Sequence, residues 1–156
     1  MLATQFARLQ FCAERNNSTQ FIAMQKQYNL LYREEEREMN PFCNETGGFG
    51  ASERSALEEG AISKAMVSAS GLPGLDEADP AIVKCVMETA DEKRWPMGHV
   101  ALAWILRRVA SPIIGLSSVQ RMDEANAAVG KMLSAEEEES LEALYWPKAY
   151  LVAESL

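Results

Sequence analysis

A chain of 156 residues with 47% apolar and 24% charged residues has the size and balance of one soluble globular domain with a real core. A net charge of −8, with basic residues scattered singly or in pairs such as Arg107-Arg108, argues against nucleic acid and against an anionic membrane surface as partners. No apolar run approaches the roughly 18 residues of a membrane-spanning helix. The cysteines, Cys12, Cys43 and Cys85, lie far apart and in no CxxC arrangement, which predicts free thiols in a reducing, cytoplasmic setting. The acidic runs Glu34–Glu36 and Glu136–Glu139 read as solvated helix faces.

The first residues show no charged segment followed by an apolar block, so no signal peptide is expected. Leu2, Phe6, Leu9, Gln10 and Ala13 recur at spacings of a helix with one buried face, ending near Asn16-Asn17. Phe21 to Gln25 is an apolar run flanked by polar residues and reads as a buried parallel strand. A loop over 28–32 follows, then a helix opened by Arg33 that runs to Asn44 and stops at Gly47-Gly48. The stretch Gly48–Arg54 takes the place of a strand but lacks β-branched residues, Ser55–Met66 suits a helix, and Ser68–Gly74 is loop chemistry.

Asp79-Pro80 is a helix start, with the carboxylate as cap and proline at the first helical position. Ile82, Val83, Val86, Met87 and Ala90 form its apolar face, Trp95-Pro96 ends it, and Val100, Ala101, Trp104 and Ile105 carry the next helix. Ser111–Gly115 reads as a short strand, Leu116-Ser117-Ser118 as a turn, and the helix after it sets Met122, Ala125, Val129 and Met132 on one side. Ser134 and Glu137 form a capping box for a last helix that buries Leu141 and Leu144 and closes at Tyr145-Trp146-Pro147. Strands alternating with helices predict a parallel α/β sheet, and the turn at the carboxyl end of such a strand is where a ligand sits. That points to the turn after Ile114.

Several stretches together resemble one family. Met24-Gln25-Lys26-Gln27-Tyr28-Asn29-Leu30-Leu31-Tyr32-Arg33-Glu34-Glu35-Glu36-Arg37-Glu38-Met39 resembles the "MQnxYNLLYREEEREM" stretch of NADP-dependent aldo-keto reductases, in the branch with aryl-alcohol dehydrogenase-like and polyketide-tailoring members. Val100–Leu106 is similar to the family's "vALAWvl" helix, and Ser111–Gly115 with Gln120–Ala125 to its "PIiGxxxxxqLxEa" cofactor segment. Leu133–Glu137 and Leu144–Pro147 are similar to its terminal helix and "LxxlYxP" ending. The likeness covers mainly 1–47 and 79–150, with 48–78 divergent, and 1–156 read as a single truncated domain of this kind.

The resemblance implies a helix-rich α/β fold, a partial (β/α)8 TIM barrel comprising its C-terminal half, strands six to eight. It also implies NADP(H) as cofactor and an aldehyde or ketone as substrate, in secondary metabolism. Gln25 matches the glutamine that hydrogen-bonds the nicotinamide carboxamide. Gly115, Leu116 and Ser117 match the turn at the phosphate end, where a Ser117–Gln120 capping box would open the helix. Arg121 suits a 2′-phosphate by its fork of donors, and Glu124 matches the contact to the adenine amino group. Asparagine, usual beside that glutamate, is displaced by one to Asn126, with Ala125 in its place. Where the family stacks an aromatic residue on the nicotinamide, this sequence has Glu53 or Arg54.

The family's catalytic Asp, Tyr, Lys and His belong to its first four strands and have no counterpart in this sequence. His99 sits on a helix where the family carries an ordinary helix residue, and Tyr28, Tyr32, Tyr145 and Tyr150 match no catalytic position. No residue is therefore assigned to catalysis and none to a metal. Two readings follow. One is a reductase by descent, acting on a small carbonyl substrate once a complete barrel forms and inactive as this chain alone. The alternative is a non-catalytic remnant that binds NADP(H) weakly or associates through its exposed half-barrel surface.

Overall fold

The computed structural model describes residues 1–46, the backbone of 50–54, and residues 79–116 and 118–149. Three parallel strands, β1 (Ala23–Gln27), β2 (Gly50–Arg54) and β3 (Ser111–Ile113), form a sheet in the order β1-β2-β3. Ala23 pairs with Gly50 and Gln27 with Arg54, while Ser52 pairs with Ser111 and Arg54 with Ile113. β2 thus lies between two partners, and ladder bonds on both sides hold a glycine-containing segment extended despite its poor intrinsic propensity. The expected helix over 55–66 and loop over 68–74 lie outside the described residues.

Helix α1 (Ala3–Arg15) packs Ala3 and Phe6 against Met39 and Cys43 of α2 (Met39–Glu45) in a small core. Leu9, expected on the buried face, is 42% exposed, and Gln10 takes the inward position instead. The Gln10 side-chain amide donates to the Phe21 carbonyl and accepts from the Phe21 N–H, both at 2.9 Å, as a strand neighbour would. This clamp ends the connection into β1. The strand itself starts two residues later than its apolar run predicts: Phe21 and Ile22 are exposed, and Lys26 carries the buried position.

The segment after β1 also corrects its reading. Arg33 does not open a continuous helix; a 3-10 turn (Glu34–Glu36) precedes α2, and Pro41 falls in the first turn of α2, where its missing N–H costs nothing. Glu34 and Glu35 are buried rather than solvated.

The larger core is built around α4 (Met97–Leu106), whose residues from Gly98 to Ile105 are all buried. A helix apolar on every side must be covered on every side. α3 (Asp79–Lys93) supplies Ile82, Val83, Val86 and Ala90, and Leu133 and Leu141 close the core from the C-terminal region. α3 ends in a Schellman motif: Arg94 adopts φ +56°, its N–H bonds to Asp91, and Trp95 N–H bonds to Ala90 at 2.9 Å. Trp104 is fully buried, with its ring 5.2 Å from that of Tyr28 and its Nε1–H donating to Glu142 at 2.8 Å.

α6 (Ala135–Glu142) opens with the Ser134–Glu137 capping box, Glu137 N–H bonding to the Ser134 hydroxyl and Ser134 N–H to the Glu137 carboxylate. It buries Leu141, but Leu144 beyond it is 44% exposed. In α5 (Val119–Asn126) no side chain is buried, and Met122, Val129 and Met132 of the expected apolar stripe are each more than half exposed.

Candidate functional site

β3 leads through Ile114 to Gly115 and Leu116, and α5 starts at Val119. The carboxyl end of a parallel strand faces the amino end of the helix that follows, so backbone N–H groups point into the space between them. Ser118 is the cap, its hydroxyl accepting from Arg121 N–H at 3.3 Å. The expected Ser117–Gln120 box is therefore shifted: the helix begins one residue later, and Gln120 instead donates to the Glu124 carboxylate at 3.2 Å. Ser117 itself lies outside the described residues.

Four of the residues singled out in the sequence meet in one cleft. Gly115 and Leu116 from the turn, with Arg121 and Glu124 from α5, line a small open-sided cleft that Gly98, His99 and Leu102 of α4 also line. A Cβ placed on Gly115 would meet nothing within 4 Å, so the backbone here leaves room for a ligand to approach. Gln25 is elsewhere. It lies in the middle of β1 rather than at its end, on the exposed face of the sheet, paired with Ser52.

Arg121 offers a planar fork of N–H donors next to a helix amino terminus, and Glu124 offers an acceptor one turn along the same face. Arg121 and Glu124 are both exposed. The cleft is thus a surface that can hold an anion and an amino group side by side.

Two of the tyrosines that the sequence sets apart from catalysis, Tyr28 and Tyr145, are structural here, and Tyr150 lies outside the described residues. Tyr28 donates its hydroxyl to Glu36, and burial together with that bond pushes it far above the usual tyrosine range. Tyr145 donates to Glu34 at 2.7 Å while accepting from Arg33 N–H, and burial again raises its hydroxyl. Raised values keep both hydroxyls protonated, bound to carboxylates of the fold. Among the described residues no group of histidine, cysteine or acidic side chains is arranged to hold a metal.

His99 is the residue that sequence reading undervalued. It is 7% exposed, it lines the cleft, and both ring nitrogens are engaged. The only available signal was its being the chain's one histidine on an otherwise apolar helix.

Comparison with known proteins accounts for this architecture. The model of the aldo/keto reductase family matches residues 3–145. The aldo-keto reductase dtxS3 of Metarhizium robertsii is 49% identical over 162 residues, covering 95% of this chain and 43% of its own length. Versiconal hemiacetal acetate reductase of Aspergillus parasiticus is 40% identical over 163 residues, covering 96% of this chain and 47% of its own length. The chain therefore spans less than half the length of these relatives. The solved thermostable aldo-keto reductase Tm1743, determined with the inhibitor epalrestat, superposes with a TM-score of 0.65 at 22% identity, over 86% of this chain and 43% of that one, which shows a shared TIM-barrel-type fold. With parallel strands alternating with helices and a family match over residues 3–145, the chain belongs to the aldo/keto reductase family.

Proposed function

We propose that this chain forms the adenosine-phosphate end of an NADP(H) cleft in an oxidoreductase that reduces an aldehyde or ketone. In this reading β1, β2 and β3 are the sixth, seventh and eighth strands of a (β/α)8 barrel, and the chain corresponds to the C-terminal half. The carrying observation is the convergence of Gly115, Leu116, Arg121 and Glu124 on one cleft. Arg121 would take the 2′-phosphate and Glu124 the adenine amino group, while the turn from Gly115 lets the backbone come close. When bound, NADPH supplies a hydride for the carbonyl carbon. Gln25, at mid-strand on the exposed face of β1, would meet the nicotinamide carboxamide only in a completed barrel.

Carbonyl reduction also needs a positioned acid, which contributes typically 10²–10⁴-fold. The family's Asp, Tyr, Lys and His have no counterparts within these 156 residues, so the stretch by itself binds cofactor without turning substrate over. The family's soluble character suits a cytoplasmic setting, and the fungal relatives suit a role in secondary metabolism.

The 2′-phosphate role of Arg121 is tested by Arg121→Ala with NADPH and NADH in parallel. Loss of a charge-assisted pair, worth about 2 kcal/mol, weakens NADPH on the order of thirtyfold and leaves NADH nearly unchanged. Equal loss for both cofactors would remove the assignment. Association with a complementary half-barrel is the second reading, favoured by the exposure of Phe21 and Ile22 just before β1, an edge strand among the described residues.

A further inference from the structure

His99 makes two polar contacts, one from α4 to α5 and one to the segment after α5. Its Nε2 lies 2.7 Å from the Glu124 carbonyl oxygen, and its Nδ1 lies 2.7 Å from Lys131 Nζ. A carbonyl can only accept, so Nε2 carries the hydrogen; an ammonium can only donate, so Nδ1 is bare. The two partners together specify one neutral tautomer. Lys131 is itself held over the Trp95 ring, 4.8 Å from its centroid, so the tautomer is set by a side chain with a fixed place in the fold.

The bond falls where α5 needs it. Glu124 is in the last turn, where carbonyls run out of intrahelical donors, and the N–H groups of Ala127 and Ala128 turn to Asp123 and Ala125. No side chain of α5 is fully buried; Ala125 packs partly against the core and Ala128 just beyond the helix is buried in it, and His99 adds a buried polar anchor beside them. Arg121 lies one turn before Glu124 on the same face, and both share the cleft with His99.

We propose that His99 is a positioning residue for cofactor binding, its Nε2–H fixing the last turn of α5 so that Glu124 and Arg121 face the adenosine-phosphate end of the ligand. The role rests on the reading of this cleft as an NADP(H) site and goes beyond it, because it assigns the orientation of α5 to a side chain of α4.

The test titrates the full chain with 2′,5′-ADP by calorimetry, with circular dichroism confirming the fold of each variant. Removing a hydrogen bond worth about 1.4 kcal/mol, His99→Leu weakens binding about tenfold, whereas His99→Gln, whose amide restores a donor, stays within about threefold of the unsubstituted chain. Lys131→Met, which frees the tautomer without emptying the core, gives a smaller loss in a folded protein. Nitrogen-15 spectra of the histidine ring show a protonated Nε2 and a bare Nδ1. Unchanged affinity in His99→Leu, or equal weakness in His99→Gln, or a protonated Nδ1 in place of Nε2, would overturn the role of His99 while leaving the cleft assignment standing. No binding by the unsubstituted chain would overturn the cofactor reading, and the positioning role with it.

Discussion

Glu34 is a carboxylate with 1% of its surface exposed, and three donors make that tolerable. Lys148 N–H reaches it at 2.6 Å, the Tyr145 hydroxyl at 2.7 Å and the Arg37 guanidinium at 3.0 Å. Burial pushes its pKa up, but the Lys148, Tyr145 and Arg37 donors outweigh burial and hold it below the ordinary glutamate range. A carboxyl depressed in the folded state contributes stability that is present above the unfolded value, about 4.3, and is lost as pH falls through the folded one. Urea midpoints should therefore hold from neutral pH down to about 5 and fall below roughly 4.3. Glu34→Gln should cost on the order of 3 kcal/mol at neutral pH and flatten part of that acid limb. An unchanged acid limb in the variant would show that the lost stability comes from other carboxylates. The same residue shows why a run of three glutamates misleads: composition suggests a solvated face, while two of its three donors, Tyr145 and Lys148, come from more than a hundred positions away.

At the level of elements, the C-terminus of α3 offers the sharpest handle. Arg94 holds φ +56°, a conformation that glycine adopts without the steric cost paid by a Cβ. Arg94→Gly should stabilise the protein by about 0.5–1 kcal/mol, read as a raised urea midpoint at unchanged slope. A lower midpoint would mean that the arginine side chain contributes more than its backbone costs. The helices were largely legible in the sequence because their signals are local: Asp79-Pro80 at a start, Trp95-Pro96 at an end, and Ser134 with Glu137 as a box. Strand limits were not. Phe21 and Ile22 look like the start of a buried strand, yet β1 begins after them, because the sheet partners that set its register are far away in sequence. The cleft was legible as a strand–turn–helix, but its cap was placed one residue early at Ser117, since Ser117 and Ser118 are chemically alike and only the backbone distinguishes them. His99 was not legible, because its partners Glu124 and Lys131 lie in other elements.

On the scale of the whole molecule, a three-stranded parallel sheet has two edges, and β1 and β3 occupy them among the described residues. Ile22, just before β1, is 79% exposed, while Met122, Val129 and Met132 are exposed in and after α5. Apolar surface of this kind beside open strand edges favours pairing with another chain. Sedimentation should show an average mass that rises with concentration, and replacing Ile22 with lysine should suppress the rise. A single monomeric species across the micromolar range would count against the half-barrel association. The central claim, however, is the cleft between β3 and α5, and it is tested most directly by amide NMR during titration with 2′,5′-ADP. Saturable shifts should cluster at Gly115, Leu116, Gln120, Arg121 and Glu124. Spectra unchanged up to millimolar ligand, or shifts that cluster away from these residues, would contradict it.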